Sequence, residues 1–226
     1  MFRLRPKIEV HGQNLAVSAT YEPVWKMSTA YTFPTSASNL VVVSTDAKDT
    51  LTGVGVRKIL IEGLDVNYKV ITETVEMDGT TKVNTTKEFL RVNFVKALEV
   101  GSDANAAGDI TLKDSTETYT LAAVIAGDNQ SLAAIYTVPA GVNLRITDIY
   151  ASEDQNKASA IALFYYENGS NKPKLKSFES LYFIQGQVSY HSNNGFLFTE
   201  KTDLYIAALS AGGSGHISAG FIGILV

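Results

Sequence analysis

The chain has 226 residues, of which 45% are hydrophobic, and it carries no cysteine and a formal net charge of −4. This length and apolar content allow one large β domain or two small ones with a sizeable core. The acidic balance argues against a broad nucleic-acid-binding face, which needs concentrated positive charge, and the absence of cysteine excludes disulfides, thiolate zinc sites and a cysteine nucleophile.

Residues 1–38 show no regular hydrophobic period and are predicted to form an extended N-terminal arm. Arg3, Arg5 and Lys7 make its start basic, but no apolar stretch follows them, so the pattern is not that of a secretory signal. No apolar run in the chain approaches the roughly 20 residues that a transmembrane helix needs, so no membrane partner is expected. The arm also holds the only tryptophan, Trp25. Either the aromatic side chains of the arm pack on the main domain, or the arm docks on a neighbouring subunit.

Residues 39–114 are predicted to form a first β-sandwich lobe. Its clearest part, residues 53–95, is rich in β-branched residues that favour extended backbone. The predicted strands are Val56–Glu62, Tyr68–Met77 and Glu88–Leu98. Asp78 and Gly79 follow the second strand, and this dipeptide favours a tight hairpin because it accepts positive φ.

The third predicted strand shows the alternation that is typical of a sheet with one buried and one solvated face. Its apolar side chains are Leu90, Val92 and Phe94. Arg91 belongs to the opposite, polar set, and we expect it to face solvent.

Residues 115–226 are predicted to form a second, jelly-roll-like lobe. Short apolar runs recur every 8–12 residues between Gly, Pro, Asn and Asp, which favours an all-β sandwich or jelly roll. Asn168–Gly169 is a second dipeptide typical of a hairpin. Two arrangements stay open for the first lobe: it forms its own sandwich, or it adds strands to the second lobe.

Aromatic residues crowd the second lobe. Because adjacent side chains on a strand point to opposite faces, Tyr165 and Tyr166 cannot share one core. Some of these rings are therefore expected to face another layer, which is either the other lobe or a partner subunit. Together with Arg3, Arg5, Lys7 and Trp25 these two tyrosines are the candidate interaction residues.

No arrangement of residues predicts catalysis, a cofactor or a metal. The three histidines, at positions 11, 191 and 216, are far apart in sequence, and none is spaced as a ligand pair. The acidic pairs Asp46/Asp49 and Glu153/Asp154 fall in predicted loops, where we expect solvated charge, with calcium binding as the alternative. The chain is predicted not to be an enzyme.

Residues 53–93, GVGVRKILIEGLDVNYKVITETVEMDGTTKVNTTKEFLRVN, and 198–226, FTEKTDLYIAALSAGGSGHISAGFIGILV, resemble β-rich virion proteins of tailed bacteriophages. The resemblance consists of strand and turn patterns. It implies a non-enzymatic structural role, most simply that of a capsid decoration protein which is made in the host cytoplasm, binds the major capsid protein or other virion proteins, and forms a homo-oligomer, with a trimer as the first expectation.

Two other roles stay open at this stage. The first is a neck, tail or fibre component that binds a receptor or glycan through exposed aromatic rings and loop carboxylates. The second is a polysaccharide-degrading enzyme, for which the required pair of carboxylates cannot be located in the sequence.

Overall fold

The computed structural model of the chain describes residues 6–27, 29–167, 174–175 and 181–226. These residues form strands and no helix, which confirms the all-β prediction. The jelly-roll form of the second lobe stays a prediction. The strands are β1 (Lys7–Val17), β2 (Glu22–Pro23), β3 (Ser38–Ser44), β4 (Val56–Leu64), β5 (Val70–Glu76), β6 (Val83–Phe89), β7 (Arg91–Val100), β8 (Ile110–Asp114), β9 (Thr120–Val124), β10 (Ile135–Thr137), β11 (Leu144–Tyr166), β12 (Lys174–Leu175), β13 (Leu181–Phe198), β14 (Asp203–Ser210) and β15 (Gly215–Leu225).

The chain divides into two compact units that differ from the predicted lobes. Unit 1 contains the described residues up to Ala30 and from Ala133 onward, and unit 2 is Tyr31–Leu132. The predicted boundary near residue 114 falls between β8 and β9, which pair with each other and so belong to one sheet. Unit 2 is thus an insertion in the sequence of unit 1, which a reading in chain order does not reveal.

The N-terminal segment is a strand of unit 1 and not an irregular arm. β1 pairs antiparallel with β15 from Lys7↔Ile224 to Val17↔Gly215. Gly12, within β1, allows close packing, because a Cβ atom there would lie 2.2 Å from both the carbonyl oxygen of Val24 and the amide nitrogen of Ala134.

Unit 1 is organised around β11, a strand of 23 residues. The sheet order is β1-β15-β11-β14-β10, with β12 and β13 also paired to β11 and β2 paired to β14. The first part of β11 pairs with β15 and the last part with β14, while β13 pairs with both parts. One long ribbon therefore carries two half-sheets: the β15 half, which contains β1 and β15, and the β14 half, which contains β10 and β14.

A bulge separates the two parts of β11. The pairing with β13 shifts register between Glu153 and Ala158, and Asn156 has a φ of 56°. The carboxylate of Glu153 is buried and accepts hydrogen bonds from the amides of Gln155 at 2.7 Å and Lys157 at 3.1 Å. The bulge takes these amides out of the regular ladder, so the glutamate replaces their lost partners. Glu153 is therefore a structural residue of the strand and not solvated loop charge.

The core of unit 1 lies between its two half-sheets. On β11, Ile149 and Ala151 come from the first part and Ile161 and Leu163 from the last part. The ring of Tyr136, on β10, packs edge-on against Phe221, on β15, with ring centroids 6.5 Å apart. Strands that bend from one layer into the other are a recognised way of forming the corner of a β-sandwich.

Unit 2 contains two sheets, with strand orders β6-β3-β8-β9 and β5-β4-β7. Their apolar side chains form one core, which includes Leu40, Ile59, Ile61, Phe89 and Ile110. The hairpin predicted at Asp78–Gly79 is wrong: Gly79 has a φ of 59°, as expected, but it connects β5 to β6, which lie in different sheets.

Two charged residues of unit 2 that were expected in solvent are buried. Arg91 donates from Nη1 to the carbonyl oxygens of Pro34 at 2.5 Å and Leu90 at 2.9 Å, and its guanidinium lies 5.2 Å from the ring centroid of Phe33. Asp49 is 0% exposed. These burials are tolerated because each charged group has several hydrogen-bond partners or a ring face.

The Asp49 carboxylate joins three separate loop segments. It accepts hydrogen bonds from the Ser44 hydroxyl at 2.6 Å and from the amides of Val56, Ala107 and Gly108 at 2.7, 2.9 and 2.9 Å. In addition, its own carbonyl oxygen accepts from the Gly79 amide at 2.7 Å. The side chain therefore serves as an internal cross-link, and protein donors occupy the oxygens that a calcium ion would need.

Candidate interaction and binding surfaces of unit 1

The predicted interaction residues that the structure describes lie on different elements of unit 1: Lys7 on β1, Trp25 after β2, and Tyr165 and Tyr166 on β11. Arg3 and Arg5 lie outside the described residues. Lys7 begins β1 and forms an exposed ion pair with Glu9 at 3.3 Å. Trp25 is 2% exposed, and its indole Nε1 donates to the carbonyl oxygen of Thr29 at 2.7 Å. The burial of Trp25 agrees with the interpretation in which aromatic side chains of this segment pack on their own domain, and not with docking of this side chain on a neighbouring subunit.

Tyr165 and Tyr166 point to opposite faces of the sheet, as the alternation rule requires. Tyr165 packs on the core of unit 1, edge-on to Phe198 with ring centroids 5.4 Å apart. Tyr166 lies on the outer face and stacks with Tyr205 at 6.3 Å. Tyr205 also stacks with Phe164 at 5.4 Å, so these outer rings form a continuous row. Burial raises the pKa of the Tyr205 hydroxyl, which keeps it protonated.

The outer face of the β14 half is apolar well beyond these rings. We define the apolar face by Ala160, Ala162 and Phe164 of β11 and by Tyr182 and Ile184 of β13. Tyr182 and Ile184 are 74% and 67% exposed, the largest values among the exposed large hydrophobic residues that the structure describes. The neighbours in sequence, Leu181 and Phe183, pack on the core instead. The run LYFI at 181–184 is thus apolar on both faces, a signal that was present in the sequence.

The outer face of the β15 half is polar instead. Strand register places outward side chains of β1, β15, β11 and β13 in neighbouring rows. One row is His11, Gly220, Tyr150 and Ser189, and the next is Gln13, Ser218, Ser152 and Gln187. These rows line an open depression with two parts, of ≈ 580 Å³ and ≈ 240 Å³, that share Ser152, Gln187 and Ser218. We call it the polar groove and define it by His11, Gln13, Tyr150, Ser152, Gln187 and Ser218.

Gly220 determines the shape of the groove floor. A Cβ atom at this position would lie 2.5 Å from the Tyr150 hydroxyl and 2.2 Å from the carbonyl oxygen of Val10. The Tyr150 ring occupies the space left by the missing side chain and lies nearly parallel to the His11 ring, with centroids 6.0 Å apart. The Tyr150 hydroxyl is 3.4 Å from Nδ1 of His11.

Burial sets the ionisation of both rings. It lowers the pKa of His11 below its ordinary value, against the opposing effect of the nearby Glu9 carboxylate. Burial also raises the pKa of Tyr150. At neutral pH both groups are uncharged, so the imidazole provides one donor and one acceptor.

The other two histidines lie on the same outer face, although they are distant in sequence. His191 Nδ1 is 2.6 Å from Asp148 Oδ1, and His216 Nδ1 is 3.2 Å from Asp154 Oδ1. The hydrogen bond to Asp148, followed by the one to Asn193, raises the pKa of His191. The pKa of Asp148 is lowered, first by the hydrogen bond from Thr147 and then by the one from His191.

Neither histidine–carboxylate pair belongs to a larger cluster of metal-ligating side chains among the described residues. Within the described ranges, no group of three or more His, Cys, Asp or Glu side chains is arranged to hold a metal ion. In the same part of the chain, no helix is long and apolar enough to cross a membrane.

Comparison with known protein families, curated proteins and solved structures finds no match for the chain.

Proposed function

We propose that the protein is a non-enzymatic structural subunit that self-associates through the apolar face and binds a virion shell as a decoration protein. The observation that supports self-association is the pair of highly exposed side chains, Tyr182 and Ile184, which lie two residues apart on the same face of β13. Large apolar side chains that are exposed next to each other often mark interaction sites. The virion setting and the major capsid protein as partner come from the resemblance of residues 53–93 and 198–226.

The energetics indicate how much of the face has to take part. Full burial of two large apolar side chains from each of two copies contributes roughly 6–12 kcal/mol. Association costs about 4–15 kcal/mol before any net affinity results. Tyr182 and Ile184 alone are therefore marginal, and further surface must complete the contact. Phe164 and Tyr205 are partly exposed and can contribute, whereas Ala160 and Ala162 are already buried. This sum describes a twofold contact of the face with itself. In a closed ring, such as the expected trimer, the face packs instead on a different surface of the neighbouring copy, which must supply the rest of the buried area.

Self-association is tested by sedimentation velocity of the full chain over a range of concentrations. The double variant Tyr182→Ser/Ile184→Ser should be monomeric where the wild type is oligomeric. A matched control is Val66→Ser/Val70→Ser in unit 2, since those two valines are 61% and 64% exposed and lie off the apolar face. A wild type that stays monomeric at the highest concentration reached, or a control that dissociates equally, contradicts the proposal.

The decoration role has its own test, which uses particles. A protein that binds only the assembled shell stabilises it by mass action. Shells that lack this protein should therefore disassemble at lower temperature than complete shells. When the salt concentration is gradually reduced, they should also disassemble earlier. Equal resistance of both kinds of shell would rule out the decoration role while leaving self-association intact.

A further inference from the structure

We propose that the polar groove binds a neutral oligosaccharide. The site is independent of the apolar face, because it lies on the outer side of the β15 half, whereas the apolar face belongs to the β14 half. Its larger part, ≈ 580 Å³, has the size of a small-molecule site, for which about 300–1,000 Å³ is usual.

The groove offers hydrogen-bonding groups that the protein itself leaves free. Ser152, Gln187 and Ser189 have no side-chain hydrogen bond to any other residue in the part of the chain that the structure describes. Gln13, by contrast, donates from Nε2 to the Ser218 hydroxyl at 3.3 Å, which holds both side chains in place. Amides and hydroxyls each donate and accept, so they match the hydroxyl groups of a sugar in either role.

The Tyr150 ring supplies the apolar part of the site. It is held over Gly220 beside His11, in a fixed orientation on the groove floor. A pyranose has a hydrophobic face of C–H groups and a rim of hydroxyls, so it can pack on this ring and reach the surrounding polar side chains. A site of this composition combines apolar contact with a few oriented polar groups, as ligand sites usually do.

The charge of the groove selects against anions. No lysine or arginine lines either part, as far as the described residues go. Asp154 lies at one end, and the oxygens of the neighbouring Glu153 are occupied by backbone amides. Phosphorylated, sulfated or sialylated ligands would meet the Asp154 carboxylate and find no lysine or arginine in the lining, which leaves uncharged sugars as the fitting class.

The test is ligand-observed NMR with the full chain and four neutral probes: maltotriose, cellotriose, chitotriose and lactose. At least one should bind, and Gln187→Ala should weaken that binding about fivefold to tenfold, the effect of losing one or two polar contacts. The matched control is Gln130→Ala, an exposed glutamine of unit 2 whose loss should leave binding unchanged. Because the Gln187 side chain has no hydrogen bond to another described residue, its variant should fold normally, which circular dichroism checks.

Three results would overturn the proposal. They are no binding of any neutral probe, binding that Gln187→Ala and Ser189→Ala leave unchanged, and binding of sialyllactose or inorganic phosphate in preference to the neutral probes. None of these results depends on the oligomeric state, so the outcome can be read separately from the test of self-association.

Discussion

The buried carboxylate of Asp49 offers the sharpest test of how unit 2 is held together. We consider Asp49→Ala, which removes the acceptor for one hydroxyl and for the amides of Val56, Ala107 and Gly108. These donors come from three separate parts of the chain, and no other carboxylate accepts a hydrogen bond from them in the described residues. The substitution should therefore destabilise the fold far more than the loss of a surface charge.

The expected magnitude follows from the number of donors left without a partner. A buried donor without an acceptor costs about 1–3 kcal/mol. The four donors together cost less than the sum of four separate penalties, because water can enter the space and the hydroxyl can rotate. We expect a loss of about 3–6 kcal/mol in the free energy of unfolding. Asp49→Asn should cost less, about 2–3 kcal/mol, because one amide oxygen still accepts while its NH₂ group opposes the donors on the other side.

Urea denaturation followed by circular dichroism measures the loss in stability. The control is Asp46→Ala in the same loop, whose side chain accepts a single hydrogen bond from the Lys48 amide at 2.8 Å and should cost at most about 1 kcal/mol. Hydrogen exchange of the Ala107 and Gly108 amides gives a local readout, since both should exchange faster in Asp49→Ala. If Asp49→Ala costs no more than Asp46→Ala, the cross-link does not hold the loops as described.

Two further predictions concern charged groups in different environments. The pKa of His191, raised by Asp148, should fall toward its ordinary value in Asp148→Asn, while the lowered pKa of His11 stays unchanged as an internal control in an NMR titration. The stability from the raised pKa of His191 is fully present below its unfolded-state pKa of about 6.5 and is lost as the pH rises through the folded-state value. The stability that comes from the lowered pKa of Asp148 is present above about pH 3.9 and is lost as the pH falls through its folded-state pKa. An unchanged His191 pKa in Asp148→Asn would contradict the pairing. Arg91→Met should lower the free energy of unfolding by about 2–4 kcal/mol, because two buried carbonyl oxygens lose their donor. The control is Arg57→Met, which should cost about 1 kcal/mol or less because the Arg57 side chain is partly exposed. Equal losses of the two variants in urea denaturation would refute the buried role of Arg91.

Local patterns in the sequence predicted local structure well. The apolar, β-branched runs became strands, and the opposition of Tyr165 and Tyr166 follows from side-chain geometry alone. The same reasoning failed where a bulge changes the alternation. In β7 the pairing with β4 shifts between Glu62↔Phe94 and Gly63↔Val92, so that Val92 and Val95 enter the core while Phe94 does not.

The sequence did not predict which distant strands pair with each other, and the candidate groove depends on that pairing. His11 and Gln187 line one depression only because β1 pairs with β15, which pairs with β11, which pairs with β13. Hydrophobic patterning shows that a strand has a wet face, but it does not show which strands lie side by side. The burial of Asp49 was equally hidden, because its partners are backbone amides, which every residue type supplies.

The pairing of β1 with β15 has a consequence for the order in which the chain can fold. Unit 2 is contiguous, so all its strands have been synthesised before residue 133 is added. β1 is synthesised about 200 residues before its ladder partners at positions 215–224, so it lacks this pairing while the chain between them is made. Contacts so distant in sequence also form slowly, because the entropy of closing the loop has to be overcome first. β1 therefore acquires its ladder partner late, and until then its unpaired backbone groups can pair with a wrong strand.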